Sequence, residues 1–226
     1  MGMDTDFTEQ RVKMVDGQIR TTDVTDTAIL EAMLTVPREA FVSARRRELA
    51  YIDEDIEISP AEPGKPARYL MEPSPFAKLA QLAGIRSTDF VLDIGCGTGY
   101  SSAVLSRLAS SVVALESDPV LAEQASSTLS HLGYDNVAVV QGPLQDGYAA
   151  EAPYDAIFIN GAIEELPQAL LEQLKDGGRL VAVEGQGNAG VARLFLKTTG
   201  VVTGRRAFNA AIRPLPGFER VHTFEF

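Results

Sequence analysis

The sequence predicts an α/β fold in which a largely parallel sheet is covered by helices on both faces. Three observations support this fold class. From Pro75 onward, apolar strand-like runs alternate with helical stretches, which is the order that parallel sheets require. The run Val91–Ile94 breaks into three alternate glycines and passes directly into a helical stretch. Glu116 stands at the end of the next apolar run, so the carboxyl edge of the sheet carries a candidate site.

The N-terminal part is predicted to be mainly helical. The expected helices are 8–20, Thr27–Val36 and Glu39–Leu49. Thr25 and Asp26 are typical start signals for the second of these helices. Residues 51–75 are rich in acids and prolines, so we expect a long irregular flap there. Long ordered loops inside compact domains often serve function.

The remainder of the chain is predicted to form the sheet and its covering helices. The expected helices are Phe76–Ala83, Ser101–Leu108, Pro119–Leu132 and Pro167–Leu174. The expected parallel strands are Phe90–Ile94, Val112–Leu115, Val137–Val140, Ala156–Ile159 and Arg179–Val183. The tail is expected to hold a helix, Val191–Leu196, and two strands, Val201–Phe208 and Arg220–Phe226. We therefore divide the chain into an N-terminal extension with flap, 1–75, and a core, 76–226.

Composition and charge limit the function classes. The chain has 226 residues, of which 45% are hydrophobic, enough for one globular domain with a large core. A net charge of -11 at pH 7 disfavours a nucleic-acid partner, which needs a basic face. No apolar run could cross a bilayer and the N-terminus is not signal-like, so no membrane association is expected. The single cysteine, Cys96, suits a reducing compartment, and we expect a cytoplasmic location.

The segment 91–100 is the most informative motif. Glycine has no Cβ, so the backbone can turn sharply and approach a ligand closely. The spacing is G-x-G-x-G, with Asp93 two residues before the first glycine, and it differs from the dinucleotide fingerprint G-x-G-x-x-G. Glu116, seventeen residues after Gly99, is placed to accept hydrogen bonds from both hydroxyls of a ribose. The pattern predicts a nucleoside site.

This motif resembles the first motif of class I S-adenosyl-L-methionine (SAM) methyltransferases. The chain as a whole resembles the protein-L-isoaspartate O-methyltransferase family, and four stretches carry that resemblance: parts of 24–51, 91–100 with Glu116, Ala152–Phe158 and Leu166–Leu180. The resemblance implies a doubly wound, Rossmann-like SAM-binding core with a characteristic N-terminal extension. It also implies methyl transfer to the α-carboxylate of isoaspartyl residues in peptides or proteins, the first step in repairing damaged aspartyl sites.

The resemblance also implies which residues bind the cofactor. These are the loop, the acid after the second strand and two positions after the third: Asp93, Gly95, Cys96, Gly97, Thr98, Gly99, Glu116, Gly142 and Asp146. Two positions depart from the family pattern. Met71 stands where the family usually has a substrate-facing hydroxyl, and a thioether cannot donate a hydrogen bond. The family's Gly-Asp-Gly, whose acid helps bind the adenine, reads Gly142-Pro143-Leu144 here, which leaves Gln141 and Asp146 as substitutes.

The polar residues are consistent with a carboxylate acceptor. A carboxylate is already ionised at neutral pH and needs no general base. The only two histidines, His131 and His222, are far apart in sequence and no metal site is expected. The cations that we expect to bind the carboxylate are Lys65 and Arg68, followed by Arg213. Asn160 follows the fourth strand, where we expect it to be a turn residue. Contact with the substrate is the alternative interpretation.

Three functions stay open at this point. The main prediction is an isoaspartate-type methyltransferase that uses SAM and acts on peptide or protein carboxylates. A SAM-binding module without catalysis is the second, and Met71 and Pro143 favour it. A small-molecule methyltransferase with an altered flap is the third.

Overall fold

The N-terminal extension is helical, as predicted, up to its third element. A computed structural model describes residues 7–185 and 187–220. Helix α1 (Phe7–Met14) continues as a π turn and a 3-10 turn to Thr22. Helix α2 (Thr27–Thr35) begins at Asp26, whose carboxylate accepts from the N–H groups of Ala28 and Ile29. The helix expected over Glu39–Leu49 is instead two 3-10 turns, 38–41 and 44–49, because the backbone between them is extended.

The flap is more regular than the sequence predicted. Strands β1 (Ile56–Ser59) and β2 (Arg68–Leu70) pair antiparallel and form a hairpin. Prolines are concentrated in the connection between these strands, so they do not interrupt the pairing. Ile56, Arg68 and Leu70 are buried, which places one face of the hairpin against the core.

Among the described residues, the sheet has seven strands in the order β5-β4-β3-β6-β7-β8-β9. The neighbours from β5 to β7 are parallel, whereas β8 and β9 are antiparallel. The strands are β3 (Phe90–Ile94), β4 (Ser111–Glu116), β5 (Val137–Gln141), β6 (Tyr154–Ile163), β7 (Leu174–Glu184), β8 (Val191–Thr198) and β9 (Val201–Asn209). The connecting helices are α3 (Pro73–Ala83), α4 (Tyr100–Ser106), α5 (Pro119–His131) and α6 (Gln168–Glu172). The predicted α/β fold class is confirmed.

Two elements of the core differ from the prediction. Residues Val191–Leu196, expected to be helical, lie in β8, because hydrogen bonds to β7 and β9 on either side override local preference. The helix expected over Pro167–Leu174 ends at Glu172, since Leu174 already pairs with Tyr154. The strand expected over Arg220–Phe226 lies outside the described residues except for Arg220, which is not in a strand.

The core lies on both faces of the sheet. Alternate residues of a strand enter different clusters: Val91 and Phe158 face one side, and Leu92 and Ile157 face the other. Helices α3, α4 and α5 cover the first side together with the N-terminal extension. Helix α6 and the segment 215–218 cover the second. Each fully buried large apolar side chain stabilises this arrangement by roughly 1.5–3 kcal/mol.

A single arginine joins the elements at the amino edge of the sheet. The Arg179 guanidinium donates to the carbonyl oxygens of Ala83 and Gly84, both at 2.6 Å, and to that of Asp155 at 3.1 Å. It also forms an ion pair with the Asp89 carboxylate. These bonds connect the end of α3 with the starts of β3 and β6, at the edge of the sheet opposite the glycine loop.

The extension and the core share apolar packing, because residues of both segments enter one buried cluster. The division at residue 75 therefore stays a prediction about organisation. Within the described ranges, no helix has the length and apolar character needed to cross a membrane.

Candidate functional site

The glycine loop lies between the carboxyl ends of β3 and β4. Gly95, Gly97 and Gly99 all have positive φ angles, 79°, 58° and 98°, which side chains rarely tolerate. The N–H groups of Gly95 and Cys96 donate to the carbonyl oxygen of Leu115, at 2.8 and 3.2 Å. These bonds hold the loop against the end of the neighbouring strand, as a nucleoside site at a switch point requires.

Glu116 is the most constrained acid of this edge. Its side chain is fully buried and accepts hydrogen bonds from the N–H groups of Gly97 at 2.8 Å, Ser117 at 2.8 Å and Asp118 at 3.0 Å. These donors fix the carboxylate at the end of β4, where the sequence predicted a ribose-binding acid.

The guanidinium of Arg68 lies on that same carboxylate. Its Nη1 and Nη2 donate to Oε1 and Oε2 of Glu116 at 2.5 and 2.8 Å. Both side chains are buried, at 5% and 0% exposure. The sequence assigned Arg68 to the acceptor and Glu116 to the cofactor, and the structure brings the two together in a bidentate ion pair.

Lys65 does not reach Glu116 but pairs with the next acid along the chain. Its ammonium is 2.6 Å from Oδ2 of Asp118, and this hydrogen bond raises the pKa of Lys65. Burial favours the protonated form of Asp118, but the bonds from Lys65 and from the N–H of Val120 outweigh it and lower the pKa of that acid. Asp118 also caps α5, so Lys65 fastens the flap to the start of that helix.

Asp93 lies beneath the glycine loop and titrates unusually. Burial raises its pKa to about 6, although the hydroxyls of Ser101 and Ser102, each 2.6 Å from Oδ2, favour the charged form. Its other oxygen, Oδ1, is buried and has no hydrogen-bond partner among the described residues. A buried acceptor of this kind suits a cationic ligand group.

Asn160 belongs to the same group of residues. The sequence expected a turn here, but Asn160 lies within β6, because this strand continues past a bulge to Ile163. Its amide nitrogen donates to Ser101 Oγ at 2.9 Å and to the carbonyl oxygen of Gly95 at 3.4 Å. Its Oδ1 is buried and, within the described chain, lacks a partner. Asn160 therefore holds the loop and presents a second acceptor.

Met71 lies in a narrow cleft at the base of the flap. Its side chain is 6% exposed, and the cleft, which Arg68, Asn160 and Arg213 also line, has a volume of about 10 Å³. Arg213 stacks on the ring of Tyr69 at 4.7 Å and is 59% exposed at its side chain. The cleft thus brings Met71 together with Arg68, Asn160 and Arg213, which the sequence also assigned to the acceptor.

Ser74 does not replace the missing hydroxyl of this cleft. It lies on α3 and donates to Thr22 Oγ1 at 3.0 Å, so it faces the N-terminal extension.

The other predicted cofactor residues fall into two groups. Thr98 and Cys96 are buried in the loop, where Thr98 donates to the carbonyl oxygen of Phe41 at 2.6 Å and burial raises the pKa of the Cys96 thiol. Gly142 follows β5 and donates its N–H to the carbonyl oxygen of Glu116 at 3.1 Å. Asp146 lies in a 3-10 turn and is exposed. Gln141, at the end of β5, is also exposed.

A wider cleft lies beside Glu116. It measures about 380 Å³ and is lined by Lys65, Arg68, Ser117, Asp118 and Pro216, among others. It adjoins the ribose-type acid at the side where α5 begins.

Three residues that shape the site were missed by the sequence analysis. A Cβ on Gly97 would lie 2.6 Å from Cδ1 of Ile58, and one on Gly95 would lie 2.7 Å from Leu215. The alternation of Ile56 and Ile58 was a signal for a strand, but nothing in the sequence indicated which loop it would cover.

The third missed residue, Arg38, is fully buried. It donates to the carbonyl oxygens of Ala50 and Met71, both at 2.7 Å, and its guanidinium stacks on Tyr100 at 4.7 Å. It fixes the backbone of the flap's base.

Metal ligation finds no support in the described part of the chain, where no group of three or more histidine, cysteine or acidic side chains could hold an ion. His131 lies at the end of α5, and His222 is outside the described residues.

The parallel strands meet a glycine loop and a buried acid at one edge, which is the fold and site expected of the class I SAM-dependent methyltransferases that the sequence resembles. Comparison with known proteins narrows this class. The family model for protein-L-isoaspartate(D-aspartate) O-methyltransferase matches residues 9–216. The chain therefore belongs to that family.

Individual relatives agree with the family model. A protein-L-isoaspartate O-methyltransferase of Koribacter versatilis is 35% identical over 213 residues, covering 94% of this chain and 93% of the relative. One of Methanoculleus marisnigri is 39% identical over 176 residues, covering 78% and 77%. A solved protein-L-isoaspartate O-methyltransferase aligns with a TM-score of 0.79 at 28% identity over 92% of this chain and 67% of its own. A Plasmodium falciparum structure solved with S-adenosyl-L-homocysteine shares the fold, with a TM-score of 0.75 at 19% identity over 95% and 100%.

The chain is thus a SAM-dependent O-methyltransferase of the protein-L-isoaspartate type, as the sequence predicted. The comparisons support this enzyme and not the non-catalytic or small-molecule alternatives. They do not test the roles of single residues, which stay predictions.

Proposed function

We propose that this protein transfers the methyl group of SAM to the α-carboxylate of isoaspartyl residues in damaged peptides and proteins. The observation that carries the proposal is Glu116, a fully buried carboxylate held by three backbone N–H groups beside the glycine loop, in a chain of this family. A fixed acceptor pair of this kind matches the two hydroxyls of a ribose.

The residues present fit the cofactor in two further respects. The glycines let the backbone approach the ligand closely, and Asp93 and Asn160 each direct a buried, unpartnered oxygen within the described structure. Two such acceptors suit the ammonium group at the amino-acid end of SAM. The cleft of about 380 Å³ beside Glu116 is of the size that small-molecule sites have, and we assign the adenine side to it.

The acceptor is assigned to the cleft at Met71, where Arg68 and Arg213 supply two cationic donors. When bound, SAM supplies a methyl group on a positively charged sulfur. A nucleophile attacks the methyl carbon in line, and the sulfur leaves as a neutral thioether. The protein's own residues position the carboxylate and exclude water, and orientation of this kind supplies much of the catalysis. Since a carboxylate is ionised at neutral pH, no side chain has to remove a proton.

The remaining predictions concern the setting of the reaction. The family's acceptors are protein sites, and we expect peptides or proteins with isoaspartyl residues to be the partners. A net charge of -11 argues against nucleic acid. One buried cysteine agrees with the cytoplasmic location that we propose.

The test is transfer of labelled methyl from SAM to an isoaspartyl peptide, beside its normal aspartyl twin and a blank without peptide. The proposal expects base-labile label on the isoaspartyl peptide alone. Equal label on both peptides would contradict the acceptor, and no label from a folded sample that binds S-adenosyl-L-homocysteine would reject isoaspartate methylation.

A further inference from the structure

Arg68 occupies the oxygens that a ribose would need. Its two terminal nitrogens donate to Oε1 and Oε2 of Glu116, in the manner of two neighbouring hydroxyls. The other hydrogen bonds come from the backbone at Gly97, Ser117 and Asp118, and from the Ser117 hydroxyl at 3.3 Å. A carboxylate offers about four acceptor positions, and these hydrogen bonds already fill them, so a ribose can bind only where a present donor leaves. The guanidinium and a ribose therefore compete for the same carboxylate.

The hairpin that carries Arg68 closes the same space. Ile58 of β1 lies against Gly97, and Lys65 fastens the connection between the strands to Asp118. Arg68 also lines the cleft of about 380 Å³ that is assigned to the adenine side, so the residue on the Glu116 carboxylate borders the cofactor's own cleft. Cofactor binding thus requires Arg68 to leave Glu116.

A displaced Arg68 needs another anion. An arginine keeps its charge in proteins, and a buried charge without a partner is strongly unfavourable. Arg68 also lines the acceptor cleft beside Met71. The Met71 side chain itself has no hydrogen-bond donor for the acceptor. The acceptor's carboxylate has the bidentate geometry that a guanidinium binds best.

We propose that Arg68 is exchanged between Glu116 and the acceptor carboxylate, so that cofactor binding creates the acceptor site. Arg68 would leave Glu116 when the ribose of SAM is bound there, and its guanidinium would then bind the isoaspartyl carboxylate and replace the hydroxyl missing at Met71. Before the cofactor binds, Glu116 neutralises Arg68 and the acceptor binds weakly. The inference rests on the proposed function and adds a compulsory order of binding to it.

The test measures binding of S-adenosyl-L-homocysteine by calorimetry in the wild type, Arg68→Met and Arg68→Lys. We expect Arg68→Met to bind this ligand about tenfold more tightly, because a competitor is removed. The same variant should bind the isoaspartyl peptide, with the ligand present, about tenfold more weakly. Arg68→Lys keeps the positive charge but cannot form the bidentate pair, so both of its binding affinities should lie between those of the wild type and Arg68→Met. If Arg68→Met does not fold, the Arg68→Lys variant provides the same test.

The matched control is Arg46→Met. Arg46 also pairs with a glutamate of the hairpin, Glu57 of β1, at 2.7 Å, but this pair is partly exposed and does not involve Glu116. Loosening the hairpin alone should affect both variants alike. Hydrogen exchange adds a readout without turnover: the ligand should increase exchange over residues 56–70 in the wild type.

The outcomes separate the inference from the proposed function. Unchanged or weaker binding of S-adenosyl-L-homocysteine by folded Arg68→Met and Arg68→Lys would overturn the exchange while leaving the enzyme intact. Equal tightening in Arg46→Met would also overturn it. A folded wild type that does not bind the ligand at all would reject the cofactor assignment, and the exchange with it. Methylation of no isoaspartyl peptide, despite ligand binding, would reject the acceptor half.

Discussion

Replacing Asp93 with asparagine removes a carboxyl group whose ionised form is unfavourable in the folded protein. Burial raises the pKa of Asp93 from its ordinary 3.8 to about 6, so the folded protein binds a proton that the unfolded chain releases. The stabilisation from this proton is complete below about pH 3.8 and is lost as the pH rises through about 6. At pH 7.5 the wild type therefore carries the full cost of a buried charge, and Asp93→Asn does not.

The size of the effect follows from the two pKa values. Between pH 5 and pH 7.5 the wild type should lose about 1.4 kcal/mol of unfolding free energy through Asp93 alone. For a chain of this length that corresponds to a shift of roughly 3–6 °C in Tm. Rearranged bonds to Ser101 and Ser102 shift the variant's stability equally at both pH values, so they cancel in the comparison.

The assay is scanning calorimetry of both proteins at pH 5 and pH 7.5, without ligand. We expect the Tm of Asp93→Asn, taken relative to the wild type, to rise by that amount at the higher pH. A gap that does not change with pH would refute the reasoning. Asp155→Asn is the control: burial is outweighed by the bonds from Lys175 and the N–H of Phe90, which lower the pKa of Asp155 below its ordinary 3.8, so this acid is ionised at both pH values and the relative Tm of its variant should not change between them.

Three further changes test the site. Glu116→Ala should leave Arg68 as an uncompensated buried charge and cost about 3–5 kcal/mol of unfolding free energy, measured by chemical denaturation. Gly97→Ala combines a φ of 58° with a Cβ only 2.6 Å from Ile58, and should cost roughly 1–3 kcal/mol in the same assay. Met71→Ser supplies a hydroxyl at the acceptor cleft and should raise kcat/KM for an isoaspartyl peptide by about tenfold or more.

Each of these changes has a result that would count against it. Glu116→Ala with wild-type stability would mean that the ion pair is not buried in solution. Gly64→Ala is the partner for Gly97→Ala, because Gly64 also has a positive φ but nothing within 4 Å of the added Cβ. Equal losses in the two variants would remove Ile58 from the explanation. A lower kcat/KM in folded Met71→Ser would show that the thioether itself contributes to the site.

The sequence predicted what depends on local pattern. The strand Phe90–Ile94 was placed with its observed bounds, since apolar runs and glycine punctuation are read within a few residues. Strand β8 was mistaken for a helix, because its identity depends on pairing with β7 and β9. The two halves of the flap hairpin escaped notice for the same reason, as prolines separate Ser59 from Arg68.

The candidate site was predicted in parts and not in its connections. Glu116 was assigned to a ribose and Arg68 to an acceptor carboxylate, each from a chemical type and a position. Their contact joins residues 48 apart in the chain, and only the tertiary fold brings the hairpin over the loop. Arg38 was missed altogether, because a buried arginine that holds two carbonyl oxygens has the same sequence signature as a surface one.

Arg179 gives the molecule an uneven distribution of local stability. Its bonds to Ala83, Gly84, Asp89 and Asp155 join α3, β3 and β6 at the amino edge of the sheet, far from the hairpin. Segments with few buried contacts open at a lower free energy than the cooperative unit that carries them. Once the Arg68–Glu116 pair is broken, the hairpin keeps fewer buried contacts, and we expect it to open and reclose while the end held by Arg179 keeps its protection against hydrogen exchange.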